Sequence, residues 1–267
     1  MRSAFAPRTV LITGGASGIG LALGRQLARH GTEVTLTDID GDAAHHAAAR
    51  LRRHRCAGVV HAFVLDVRDE SAFHVAVQAA SSTTGTLDAL FNDAGISLGW
   101  PTEELTSAHW DRIIDVNLRG VVNGILAAYP KMTEQGGGHI ANTASGVGLV
   151  APTYVTAYAT TKHAVVGLST GLRAEAARHG VSVSVLYPGS APTGFATPTP
   201  RPRYVPGSHP RWSASASDTR PLSRVLTPRG RRCGQARPTV WGRGLLPTSR
   251  WVTAADRPRR AARRSAG

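Results

Sequence analysis

The chain alternates between two hydrophobic periods. Short runs rich in apolar and β-branched residues read as strands: "RTVLIT" (8–13), "EVTLTD" (33–38), "VVHAFVLDV" (59–67), "LDALFNDAG" (87–95, a strand and turn), "GHIANTAS" (138–145) and "VSVSVLYPG" (181–189). Between them, apolar residues recur at helical spacing. The predicted helices cover 18–31, closed by Gly31, then 41–54, 69–84, about 107–134 and 152–179. Strands that alternate with helices build βαβ units with right-handed crossovers, hence a parallel sheet covered on both faces. The expected fold class is a doubly wound, Rossmann-like α/β domain.

Near Ala196 both periods stop. Ten of the 16 prolines lie between 196 and 267, and Arg, Pro, Ser and Gly dominate to the end. Such a segment buries too little apolar surface to offset the entropy of ordering it. The expected organisation is a folded domain over 1–195 and an Arg/Pro-rich tail of low order over 196–267. A shifted reading frame in GC-rich DNA is one origin for such a tail.

Charge follows the same boundary. The chain carries a formal +14, but residues 1–195 hold 15 Lys+Arg and 15 Asp+Glu, whereas 196–267 hold 16 and 2. The folded part therefore gives no electrostatic reason to expect nucleic acid. The tail lacks a regular aromatic–basic pattern, so specific nucleic-acid binding is not expected there either. Two cysteines, Cys56 and Cys233, make no disulfide framework. The N-terminal stretch has no signal-peptide pattern, and no apolar run reaches the roughly 18 residues that span a bilayer. A soluble, cytoplasmic protein without a membrane partner is expected.

"TGGASGIG" (13–20) joins the first strand to the first helix. Gly14, Gly18 and Gly20 permit a tight turn and close backbone approach, and the helix N-terminus then presents N–H groups to a pyrophosphate. Ser17 and Ile19 complete this candidate loop. Asp38 closes the second strand, 24 residues after Gly14, near the offset of about 20 at which an acid accepts bonds from a ribose. A carboxylate there repels a 2′-phosphate, and no basic residue follows in "DIDGD". The expected cofactor is NAD rather than NADP.

"AYATTKHA" (157–164) sets Tyr158 and Lys162 four apart, on one helix face. Taken alone, that is an ordinary surface pair. Joined with "TGGASGIG", "DV" (66–67), "NDAG" (92–95), Asn117, Ser145, "YATTK" (158–162) and "PG" (188–189), it resembles the short-chain dehydrogenase/reductase family over about residues 7–195. The resemblance implies strand order 3-2-1-4-5-6 and hydride transfer between a nicotinamide cofactor and a secondary alcohol or ketone. It implies Tyr158 as general acid/base. Lys162 would lower the phenol's pKa from about 10 toward neutrality and bind the nicotinamide ribose. Ser145 would orient the substrate oxygen, and Asn117 would hold a water relaying protons to Lys162. Asp66 and Val67 would contact the adenine; Asn92, Ala94 and Gly95 would line the adenosine side; Pro188, Gly189 and Thr193 would meet the nicotinamide half. It also implies a homodimer through the helices near 107–134 and 152–179.

The sequence departs from the family pattern at three places. Asp93 stands in "NDAG" where a neutral residue is common, Ala191 stands where a β-branched residue often contacts the carboxamide, and nothing after Thr193 reads as the usual substrate lid and seventh strand. A second reading is therefore a catalytically impaired nucleotide-binding protein. The 11 histidines show no metal-ligand spacing, so no metal is expected.

Overall fold

The computed structural model describes residues 7–53 and 58–189. The expected tail, Thr193 and both cysteines lie outside the described residues. Six strands form one parallel sheet in the order β3-β2-β1-β4-β5-β6. They are β1 (Thr9–Thr13), β2 (Glu33–Asp38), β3 (Val60–Val64), β4 (Ala89–Asn92), β5 (Gly138–Thr143) and β6 (Val181–Leu186). Helices α1 (Gly18–Arg29), α2 (Gly41–Arg53), α3 (Glu70–Ala80), α4 (Ser107–Ile114), α5 (Gly120–Glu134) and α6 (Thr156–Ala176) cover it. Among the described residues, no helix is long and apolar enough to cross a membrane.

β1 shows why the runs are continuously apolar. All five of its residues are buried, because helices cover both faces of a parallel sheet. Leu11 packs with Phe73, Val121, Met132 and Ile140, toward α3 and α5. Its neighbours Val10 and Ile12 point the other way, onto Leu23, Leu27, Ala47 and Leu51 of α1 and α2. The core is thus two apolar layers divided by the sheet. Register is set by pairs such as Val10 with Val34 and Leu11 with Leu90.

Several boundaries differ from the expected ones, each for a local reason. β3 ends at Val64 rather than 67: the Leu65 amide still bonds the Asp38 carbonyl, but Asp66 then starts a turn closed by the Asp69 amide. β4 ends at Asn92 because the next two amides, of Asp93 and Ala94, both donate to the Thr13 hydroxyl at 3.0 Å. The helix expected over 107–134 is interrupted by a π-helical turn, Asp115–Arg119. The helix expected from 152 starts at Thr156, after Tyr154 takes a left-handed φ of 65°. That conformation costs an L-residue roughly 1–2 kcal/mol.

β1 is the point where the winding reverses, with β2 on one side and β4 on the other. At such a point the crevice outside the carboxyl ends of the strands is the usual place for a ligand.

Candidate active site

The loop after β1 is shaped by contacts that exclude side chains. Gly14 and Gly18 have φ of 64° and 50°, in the left-handed region that favours glycine. A Cβ on Gly14 would stand 3.0 Å from the Ala94 Cα, so the loops after β1 and β4 touch there. A Cβ on Gly20 would fall 2.5 Å from the Gly14 carbonyl oxygen. Ser17 occupies the N-cap of α1 without a side-chain capping bond and is exposed, with Ile19 half-buried beyond it. Asp38, at the end of β2, accepts from the Ala16 amide at 3.3 Å and the Asp40 amide at 3.2 Å. Its carboxylate is thereby tied to the glycine loop. A cradle that a Cβ would fill, beside a helix N-terminus and a fixed carboxylate, fits a dinucleotide.

Asp66 meets Arg68 in a two-pronged pair, with Oδ2 taking Nη2 at 2.6 Å. Arg68 holds the Asp66 carboxyl below its ordinary range. Val67 is buried, and its carbonyl accepts from Asn123 at 2.9 Å. Ala94 and Gly95 are half-buried along the crevice. Asn92 is the last residue of β4. Its side chain is buried and donates to Asn142 Oδ1 at 2.8 Å; Asn142 in turn donates to Ser169 on α6 at 2.9 Å. Pro188 accepts from the Gly146 amide at 3.0 Å, and Gly189 after it is exposed.

The catalytic candidates converge at the carboxyl end of β5. Ser145 lies two residues beyond the strand and accepts from the Val147 amide at 3.4 Å. α6 brings Tyr158 and Lys162 to the same point. The Lys162 side chain is buried, its ammonium lies 5.7 Å from the centre of the Tyr158 ring, and Nζ donates to the Thr143 carbonyl at 2.8 Å. Burial pushes that ammonium down to about 8, and the nearby Asp93 opposes the change.

The expected lowering of the Tyr158 pKa is not what the structure gives. Burial pushes the phenol above its ordinary value, a hydrogen bond with Ser145 works against that rise, and the Asp93 charge adds to it. Desolvation of the phenolate is the largest of these causes.

Asn117 sits on the π-helical turn, fully buried. Its Oδ1 accepts from the Ile96 amide at 2.8 Å, while Nδ2 donates to the Ile96 carbonyl at 2.9 Å and to Thr161 at 3.2 Å. The side-chain amide is thus engaged with the loop after β4 and with α6. Two further residues belong to the site. Thr143 carries Lys162 on its carbonyl and donates its hydroxyl to Asp93 Oδ1 at 2.7 Å. Burial pushes the Asp93 carboxyl up to about 6, against Thr143, Lys162 and the Gly20 amide. The available signals were the hydroxyl two places before Ser145 and the unusual acid in "NDAG".

A match to the family described as short chain dehydrogenase covers residues 8–203. The chain belongs to the short-chain dehydrogenase/reductase family. Within this family of oxidoreductases it is 36% identical to levodione reductase of Leifsonia aquatica over 187 residues, 70% of each chain. It is 36% identical to D-threitol dehydrogenase of Mycolicibacterium smegmatis over 181 residues, 68% of this chain and 69% of that one. A short-chain dehydrogenase/reductase from Burkholderia phymatum, solved in complex with NAD, superposes with a TM-score of 0.67 at 32% identity, covering 71% of this chain and 68% of that one.

Proposed function

We propose that this short-chain dehydrogenase/reductase interconverts a secondary alcohol and a ketone with NAD(H), using Tyr158 as the general acid/base. The carrying observation is the cluster of Tyr158, Ser145 and a buried Lys162 at the mouth of the crevice. When bound, the nicotinamide supplies or accepts the hydride. In reduction, Tyr158 donates its proton to the carbonyl oxygen; in oxidation, the phenolate takes the proton of the alcohol. Ser145 orients the substrate oxygen. A phenol held protonated by burial is ready as the acid for reduction near neutrality. Lys162 would hold the nicotinamide ribose and limit the cost of a transient phenolate. Asn117 braces the wall of the site, so a relay water near it would rest on main-chain groups.

Asp38 supports NAD over NADP. Its carboxylate is held in place by the Ala16 and Asp40 amides, where it would accept from ribose hydroxyls and repel a 2′-phosphate. A neighbour solved in complex with NAD and relatives named as a reductase and a dehydrogenase support a nicotinamide cofactor. The intact cluster favours turnover over an impaired nucleotide-binding protein. A homodimer packed through α4, α5 and α6 is part of this reading, and light scattering tests it.

Fluorescence titration with NADH, followed by assay of secondary alcohols with NAD, tests the whole reading. Saturable NADH binding and alcohol-dependent NADH formation are expected. Absence of NADH binding at millimolar concentration would refute it.

A further inference from the structure

We propose that Asp93 is a positioning residue for Lys162, coupled to it through Thr143. The geometry is a single bridge. Thr143 donates its hydroxyl to the Asp93 carboxylate at 2.7 Å and accepts the Lys162 ammonium on its carbonyl at 2.8 Å. One residue of β5 therefore fixes where both charges stand. The other end of Asp93 is equally tied. Its amide donates to the Thr13 hydroxyl on β1 at 3.0 Å, and the Gly20 amide of α1 bonds its carboxylate. The acid thus joins the glycine loop to the lysine of the catalytic cluster.

The effect follows from charge. Lys162 is buried, and burial alone favours its neutral form. Asp93 acts against this and keeps the ammonium charged near neutrality. The same carboxylate disfavours ionisation of Tyr158. Among the described residues, the titratable groups that interact with Asp93 are Lys162 and Tyr158, both on α6. β1, β5 and α1 contribute the Thr13 and Thr143 hydroxyls and the Gly20 amide, none of which titrates in this range. The inference rests on the proposed role of Lys162 in the site, but the coupling can be measured without cofactor.

The chain has only two lysines, Lys131 and Lys162. Carbon-13 labelling at lysine Cε therefore gives two signals, assigned with the Lys131→Arg variant. In the full-length protein, the Lys162 signal should titrate near 8, with a smaller inflection near 6 as Asp93 ionises. Asp93→Asn keeps an oxygen for Thr143 and removes the charge. It should bring the Lys162 midpoint below that of the unmutated protein and abolish the smaller inflection. An unchanged Lys162 midpoint in folded Asp93→Asn would overturn the proposal. If that variant does not fold, the unmutated curve decides, and a Lys162 signal without an inflection near 6 refutes the coupling. NADH titration across pH separates this from the proposed function. Asp93→Asn should lose affinity at lower pH than the unmutated protein. A chain with coupled Lys162 that binds no NADH would refute the cofactor reading and leave the coupling standing.

Discussion

The Lys162 ammonium stands 5.7 Å from the centre of the Tyr158 ring, yet its hydrogen bond goes to Thr143. The ammonium stands over the face of the phenol, while burial raises the pKa of that phenol. Tyr158→Phe keeps the ring and removes the transferable proton. Turnover should fall by at least about 100-fold, with NADH affinity largely retained. In the unmutated protein, alcohol oxidation should accelerate as pH rises above neutrality, because oxidation needs the phenolate. Paired steady-state assays and NADH titrations check both statements; near-normal turnover in the variant would remove Tyr158 from its role.

Asp38 should set cofactor choice. Its two oxygens are already anchored by main-chain amides, so it presents a fixed charge rather than a mobile one. NADH should bind at least about tenfold more tightly than NADPH, a difference near 1.4 kcal/mol. Asp38→Ala should weaken NADH and narrow that gap. Equal affinities for the two cofactors in the unmutated protein would contradict the argument.

What the sequence made legible was whatever a period or a chain-order motif records. The six strands and the doubly wound fold follow from alternating runs such as "RTVLIT" and the helical spacing after them. The meeting of Ser145, Tyr158 and Lys162 was readable for the same reason, since each lies at a fixed offset within a resembling motif. The directions of buried side chains were not readable. Asn92 and Asn142 are 50 residues apart, and only the β4–β5 pairing brings their amides together. The π-helical turn aims the Asn117 amide at Ile96, and no pattern in "IIDVNLRG" marks that turn. The phenol's pKa also depends on burial, which is a property of the packed molecule.

Asn117 should therefore matter for stability as well as for catalysis. It satisfies both main-chain groups of Ile96 from a fully buried position. Asn117→Ala removes those partners and leaves a small cavity. A loss of about 2–4 kcal/mol is expected, from two unsatisfied groups at roughly 1–3 kcal/mol each with partial relief by water. Urea unfolding should show a lower midpoint at unchanged slope. A change smaller than about 0.5 kcal/mol would show that Ile96 does not depend on this amide.

His139 should make the fold acid-sensitive without touching the site. It lies on β5 with Nε2 2.9 Å from the Ser184 hydroxyl on β6, and burial pushes its imidazole down to about 4. An unfolded chain takes up that proton near 6.5. Between those two values the unfolded state binds the proton and the native state does not, so stability falls as pH drops from about 6.5 to 4. The loss is at most about 3 kcal/mol, and less to the extent that partial exposure of the ring lets water screen the charge. Asp93 has the opposite dependence, since a raised carboxyl pKa favours the native state as pH falls from about 6 toward 4. Comparison with His139→Asn isolates the histidine, because Asp93 contributes equally to both proteins. The variant should be less stable at pH 7, where it loses the native packing and the Ser184 contact. Its deficit should shrink on acidification below 6.5, as only the unmutated protein incurs the protonation cost. Thermal melts of both proteins at pH 4.5, 5.5 and 7 measure this directly. A deficit that stays constant over that range would mean the imidazole accepts its proton in the native state without penalty.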